Sequence, residues 1–132
     1  MIPLVLYFAL FLCFGLLGWV VDTSYRSYHA GKYHPHTMLP YFSIIYGIGG
    51  VLLLLLFKHT YLPVIADIVV GGTAATILEF MGGWFCHKVL KRKMWDYSHH
   101  PYNYYGYIDA EHTIYWFILT GIVRWLFVYL PV

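Results

Sequence analysis

The stretch Ile77-Leu78-Glu79-Phe80-Met81-Gly82-Gly83-Trp84 places one carboxylate, Glu79, among apolar and small residues. The run from Tyr61 to Cys86 around it carries only one other charged residue, Asp67, and is long enough to predict a membrane-spanning helix. An ionisable group at membrane depth costs at least about 3 kcal/mol on insertion scales. We therefore expect Glu79 to face other protein groups and to mark a functional site.

The composition is that of a membrane protein. The 132 residues are 61% hydrophobic and only 11% charged, whereas soluble domains carry about 25% charged residues. Met1 to Val21 and Thr37 to Phe57 contain no charged residue, and each covers the ~20 residues that a helix needs to cross the hydrocarbon. We predict an all-α integral membrane protein, a single domain over residues 1–132, with four transmembrane helices at about 3–27, 40–57, 62–86 and 107–130.

Several classes of protein are excluded by the same sequence. Met1 to Val21 lacks the basic start and the cleavage site of a signal peptide, so we expect a retained first helix. The net charge of +2 is too small to indicate a nucleic-acid partner. A phosphate-binding loop of the Walker type is absent, so any ATP hydrolysis would need a separate ATPase.

Small residues form stripes on two of the predicted helices. In the first, Gly15 and Gly18 are continued by Asp22 and Arg26 at helical spacing, so all four share a face and the charged pair can form an ion pair. In the third, the stripe consists of Gly72, Ala75, Glu79 and either Gly82 or Gly83. Such stripes allow close packing of helices, which places Glu79 on a packed face and away from lipid.

Two charged residues, Asp67 and Arg124, are predicted to lie in the outer leaflet, on the third and fourth helices. At ~1.5 Å rise per residue they reach the same depth. Because the sequence offers no other oppositely charged partner for either residue at this depth, we predict that they pair.

The segment between the third and fourth helices is rich in aromatic residues, namely Trp95, Tyr97, Tyr102, Tyr104, Tyr105 and Tyr107. One interpretation is an aromatic belt at the headgroup level. The other is a partly re-entrant loop that lines a cavity above Glu79. In such a loop the backbone N–H and C=O groups form hydrogen bonds with protein or water. Asp96 and Ser98 are expected to cap a turn in it or to contact Asn103.

The eight histidines include His34, His36, His99, His100 and His112 on the same predicted side as Asp96 and Glu111. Imidazole and carboxylate together suit transition metals. These histidines lack the i, i+4 helical spacing of a strong metal motif. We therefore expect no metal site, and no cofactor is identified.

The distribution of Lys and Arg predicts the orientation. The loops after the first and third helices carry most of these residues, so we expect both to be cytoplasmic and both termini to lie outside. The polar groups expected near the cytoplasmic leaflet are then Asp22, Arg26, Glu79, Asp96, Asp109, Glu111 and His112.

The motifs resemble a known family. Three segments are similar to the signature of the CmpB-type putative ABC-transporter membrane proteins. They are Gly18-Trp19-Val20-Val21-Asp22-Thr23-Ser24-Tyr25-Arg26, then Leu78-Glu79-Phe80 with Gly83-Trp84, and then Trp95-Asp96-Tyr97-Ser98 with Asn103 and Gly106. Small animal multi-pass proteins share the later block and an acidic residue matching Glu111. Departures are His34–Met38, where an arginine-glycine is usual, and Ser43, where a proline is usual.

The resemblance and the residues together suggest a transport-type or accessory subunit of a bacterial cytoplasmic membrane, with a polar intramembrane site for an ion, small solute or lipid headgroup. The candidate binding residues are Asp22, Arg26, Tyr46, Glu79, Trp84, Trp95, Asp96, Tyr97, Asn103 and Glu111. Two alternatives stay open: a lipid-directed acid/base enzyme using Glu79, and a structural subunit of a larger complex. Expected partners are membrane lipid, a second copy or another membrane subunit, and a separate ATPase.

Overall fold

The computed structural model describes residues 3–132 and contains four helices. These are α1 (Leu4–Ala30), α2 (Ile44–Thr60), α3 (Val64–Lys88) and α4 (Ala110–Phe127). In this part of the chain, strand-like pairing is limited to two isolated bridges, Leu39 with Phe42 and Tyr104 with Ile108. The all-α prediction is confirmed; Met1 and Ile2 of the predicted domain lie outside the described residues.

The predicted start of the second helix was too early. α2 begins at Ile44 rather than at Pro40, because residues 39–42 form a tight turn in which Tyr41 adopts a left-handed backbone conformation with φ 57°. The main chain leaves this turn through Ser43, whose N–H donates to the carbonyl of Gly15 on α1 at 2.9 Å.

Two helices, α1 and α3, are long and apolar enough to cross a membrane, and α2 is a shorter apolar helix of 17 residues. Large apolar side chains lie on the outside of the molecule, such as Leu17 at 60% exposure and Ile65 at 75%. An apolar exterior of this kind is typical of a surface that contacts lipid or another protein. Spanning by all four helices stays a prediction.

The chain divides into two compact units, one up to Val51 and one from Leu52 onward. In the first unit, the predicted stripe on α1 is confirmed: Gly15 and Gly18 are buried, directly against Phe42 and Tyr46. A Cβ atom at either glycine would overlap these side chains. Close approach of α1 and the start of α2 therefore depends on glycine.

In the second unit, α3 buries a stripe that consists of Asp67, Gly71, Gly72, Ala75, Glu79 and Gly83. This matches the predicted packed face and adds Asp67 and Gly71 to it. Gly71 lies against Thr120 and Leu53, and Gly72 lies against the ring of Phe117. α3 thus packs its glycines against α4, with the fully buried Leu54 and Thr120 in the core.

The predicted ion pair between Asp67 and Arg124 is confirmed. Arg124 Nε lies 2.7 Å from Asp67 Oδ2, and the hydroxyl of Thr60 donates to the other carboxylate oxygen at 3.2 Å. Asp67 is 1% exposed. The Arg124 guanidinium also lies within 6 Å of the Phe57 and Phe127 rings, at 5.9 and 5.7 Å, which adds a cation–π contribution.

Gly72→Ala is expected to lower the free energy of unfolding by about 1–3 kcal/mol, because the new methyl group would overlap the Phe117 ring. Gly121→Ala is the matched control. Its Cβ would find its nearest neighbour, Ile68 Cδ1, at 3.7 Å, so it should be neutral or stabilise by up to about 1 kcal/mol through helix propensity. Thermal unfolding in detergent checks both, and equal effects would contradict this packing.

Asp67→Asn or Arg124→Gln alone should destabilise the protein by about 3–5 kcal/mol, because each leaves the partner's charge buried and uncompensated. The double variant should cost clearly less than the two single effects added together. A double-mutant cycle on unfolding free energies measures this coupling, and additive effects would show that the pair contributes nothing.

Candidate functional site

Glu79 is buried within the second unit, at 4% exposure. Its Oε1 accepts a hydrogen bond from the Tyr97 hydroxyl at 2.8 Å, and its Oε2 accepts one from the indole N–H of Trp116. We call these three residues the carboxylate centre. Hydrogen bonds to an ionised group are stronger than those between neutral groups, so the two donors offset part of the cost of burying Glu79.

The loop between α3 and α4 folds back along α3 to reach this carboxylate. Glu79 precedes the end of α3 at Lys88 by two and a half turns, about 13 Å. Gly83 makes room for the loop, because a Cβ there would lie 3.1 Å from Tyr107 and 3.2 Å from Trp95. The Trp95 indole N–H donates to the carbonyl of Tyr107 at 2.9 Å, which ties the two ends of the loop together.

A polar turn determines where Tyr97 points. Asp96 Oδ1 accepts the backbone N–H of Ser98 at 3.0 Å, as expected for a cap. The Asn103 amide donates to the carbonyl of His100 at 2.9 Å and accepts the N–H of Gly106 at 3.0 Å. The predicted contact of Asn103 with Ser98 is present but longer, at 3.4 Å to the carbonyl oxygen.

The same turn sets the acidity of Asp96. Hydrogen bonds from Ser98, backbone first and hydroxyl second, lower the pKa of the Asp96 carboxyl, and Lys93 at 3.6 Å acts in the same direction. With a lowered pKa in the folded state, the contribution of Asp96 to stability is present above the ordinary pKa of aspartate. It is lost as the pH falls through the lowered pKa.

A second group, which we call the histidine–carboxylate cluster, consists of His100, Asp109, Glu111 and His112. Asp109 is 2% exposed and caps α4 by accepting the His112 N–H at 2.8 Å. The Nδ1 atoms of His100 and His112 each lie 2.7 Å from an oxygen of Asp109. The Tyr97 ring stacks on the His112 ring with centroids 4.1 Å apart, so Tyr97 contacts both the cluster and Glu79.

The remaining candidate residues are distributed over both units. In the first unit, Arg26 Nε lies 2.9 Å from Asp22 Oδ2, which confirms the predicted local ion pair, and Tyr46 packs against Gly18. In the second unit, Trp84 is 48% exposed. The structure thus brings Glu79 and Tyr97 into direct contact, with Trp95, Asp96 and Asn103 shaping the loop that carries Tyr97.

One residue of these sites was missed by sequence reasoning, and the role of a second was not recognised. Trp116 donates to Glu79 from 37 residues away, and no local spacing indicates that contact. Asp109 was expected only as one of several polar groups at the same depth. Its position directly before a helix, with an acidic Glu111 in the first turn, is an N-cap signal that could have identified its role.

A model of one protein family, described as "Putative ABC-transporter type IV" (ABC_trans_CmpB), matches residues 9–131. The match includes every residue of the carboxylate centre and of the histidine–carboxylate cluster. No curated protein and no solved structure matches the chain.

Tyr97→Phe should remove one donor to the Glu79 carboxylate while keeping the ring that stacks on His112. We expect a loss of about 1.5–3 kcal/mol in unfolding free energy, the range for hydrogen bonds to charged groups, and faster amide exchange in residues 95–107. Tyr102→Phe is the matched control in the same loop, since Tyr102 is 86% exposed and should change stability by less than about 0.5 kcal/mol. Equal behaviour of the two variants would contradict the assigned bond.

Proposed function

We propose that this chain, which belongs to the CmpB-type family of putative ABC-transporter proteins, is a transport-type or accessory membrane subunit with a polar binding site at the carboxylate centre. The ligand class is an ion, a small polar solute or a lipid headgroup. Family membership supports the transport-related part, and the buried carboxylate supports the site.

The observation that carries the proposal is the way in which Glu79 is held. Three segments converge on it: α3 provides the carboxylate, the loop provides Tyr97 and α4 provides Trp116. Both donors are uncharged side chains, and their hydrogen bonds fix the orientation of the carboxylate. Ionisable groups at such positions in membrane proteins are typically functional.

The loop that carries Tyr97 packs along α3 beside Glu79. Its contacts with α3 include two tyrosine hydroxyls, those of Tyr97 and Tyr107. They also include aromatic rings, as in the packing of Phe80 against Tyr104 and Tyr107 with ring centroids 5.6 and 5.4 Å apart. Tyrosine rings combine an apolar face with a polar hydroxyl, so they suit the lining of a site that contains both apolar and polar groups. We infer that a ligand would approach Glu79 along the loop.

The energy for transport would come from another protein. The sequence contains no Gly-x-x-x-x-Gly-Lys-Ser/Thr loop for phosphates. A separate ATPase is therefore the expected partner.

A second candidate function is that of a structural subunit, in which Glu79 only sets the packing of α3, α4 and the loop. It is favoured by the fact that each Glu79 oxygen already accepts a hydrogen bond from within the chain. The two functions differ in the effect expected when the Glu79 charge is removed. A binding function predicts altered ATP hydrolysis, and a structural function predicts loss of the assembly.

Glu79→Gln tests them. We expect the tagged variant, purified from membranes in mild detergent, to keep its partner proteins, while ATP hydrolysis by the purified assembly in lipid vesicles changes at least tenfold. Such a change corresponds to about 1.4 kcal/mol, near the lower end of the roughly 1.5–3 kcal/mol that a hydrogen bond to a charged group contributes. The control is Asp67→Asn, which removes the other buried carboxylate of α3, about 18 Å away along the helix.

The control should lower stability but leave ATP hydrolysis per intact assembly unchanged. If Glu79→Gln instead dissociates the assembly, the structural function is supported. If the wild-type chain purifies without any associated ATP hydrolysis, the proposed transport function is wrong.

A further inference from the structure

We propose that the histidine–carboxylate cluster binds one divalent transition-metal cation. The ligand atoms offered by His100, Asp109, Glu111 and His112 all lie within 4.8 Å of one another. They come from two separate parts of the chain, the loop and the start of α4. This site goes beyond the proposed transport function and does not depend on it.

The spacing of the ligand atoms is close to that of a coordination shell. In a tetrahedral site with metal–nitrogen and metal–oxygen bonds of about 2.0–2.2 Å, the ligand atoms lie roughly 3.3–3.6 Å apart. The most distant ligand atoms, at most 4.8 Å apart, would therefore approach one another by up to roughly 1.5 Å. The His100 and Glu111 side chains are 34% and 43% exposed, so space for this movement exists on their solvent-accessible sides around the fully buried side chain of Asp109.

The chemistry of the donors selects the class of ion. Two neutral imidazoles and two carboxylates carry a total charge of −2, which balances a divalent cation. Imidazole nitrogen favours zinc and its first-row neighbours over magnesium and calcium, which prefer oxygen alone. The carboxylates also offset the positive end of the α4 dipole, which would otherwise repel a cation at this position.

Neighbouring side chains already orient the donors. The Tyr115 hydroxyl donates to Glu111 Oε1 at 2.6 Å, while Oε2 of the same carboxylate faces His100 Nδ1 at 3.8 Å. The Tyr97 ring covers one face of the His112 imidazole. Hydrogen bonds and packing around the ligands are a regular feature of protein metal sites, where they fix ring orientation.

This proposal departs from the expectation of no metal site that the histidine spacing suggested. The expectation rested on the spacing of histidines that are close in sequence. The ligand set instead combines His100 of the loop with Asp109, Glu111 and His112 at the start of α4. The Asn103 bonds to His100 and Gly106 close the loop and bring His100 to α4.

The test uses the purified full chain in detergent, stripped with a chelator and titrated with Co²⁺ and then with Zn²⁺. We expect one Co²⁺ per chain by elemental analysis, a visible d–d absorption band that Zn²⁺ abolishes, and a melting temperature that rises on addition of metal. His100→Ala and Glu111→Gln should each weaken Co²⁺ binding at least tenfold. Asp109→Ser should do the same while keeping a residue that caps the helix.

His99→Ala is the matched control, because His99 is the exposed neighbour of His100 in sequence and lies outside the cluster. It should bind Co²⁺ within twofold of the wild type. Circular dichroism and size-exclusion chromatography establish that each variant is folded.

Absence of stoichiometric binding by the folded wild type would overturn the proposal and leave the cluster as a hydrogen-bond network only. Binding that survives His100→Ala and Glu111→Gln, or that His99→Ala reduces as much as they do, would also overturn it by placing the metal elsewhere. None of these results bears on the ATP hydrolysis that tests the proposed function.

Discussion

A carboxylate buried among apolar helices must be provided with hydrogen-bond donors, and the second unit is built around this requirement. Glu79 can be reached only if the loop turns back along α3 and if α4 presents Trp116 at the same level. Gly83 and the small residues of α3 permit both approaches. The packing of the helices and the path of the loop therefore follow from the need to solvate one charge.

α3 contains two buried carboxylates that are stabilised in different ways. Asp67 is paired with the oppositely charged Arg124, so its charge is neutralised where it is buried. Glu79 accepts hydrogen bonds from the uncharged side chains of Tyr97 and Trp116, which orient the carboxylate. The first arrangement links two helices through opposite charges, and the second is the one at which we propose a binding site.

Tyr97 connects the two sites that we propose. Its hydroxyl donates to Glu79, and its ring stacks on His112 in the histidine–carboxylate cluster. A cation in the cluster would fix the position of His112 and, through the stacked rings, the orientation of Tyr97.

Helix periodicity is a local property, and for this reason the sequence alone determined the four helices, the glycine-rich faces, the burial of Glu79 and the pairing of Asp67 with Arg124. The family resemblance, carried by short motifs, is likewise confirmed by the match over residues 9–131. The donors to Glu79 and the assembly of the histidine–carboxylate cluster were decided only by tertiary structure. Both depend on the path of a non-helical loop, which is set by hydrogen bonds of Asp96 and Asn103 and by contacts with Gly83, and no sequence period encodes such a path.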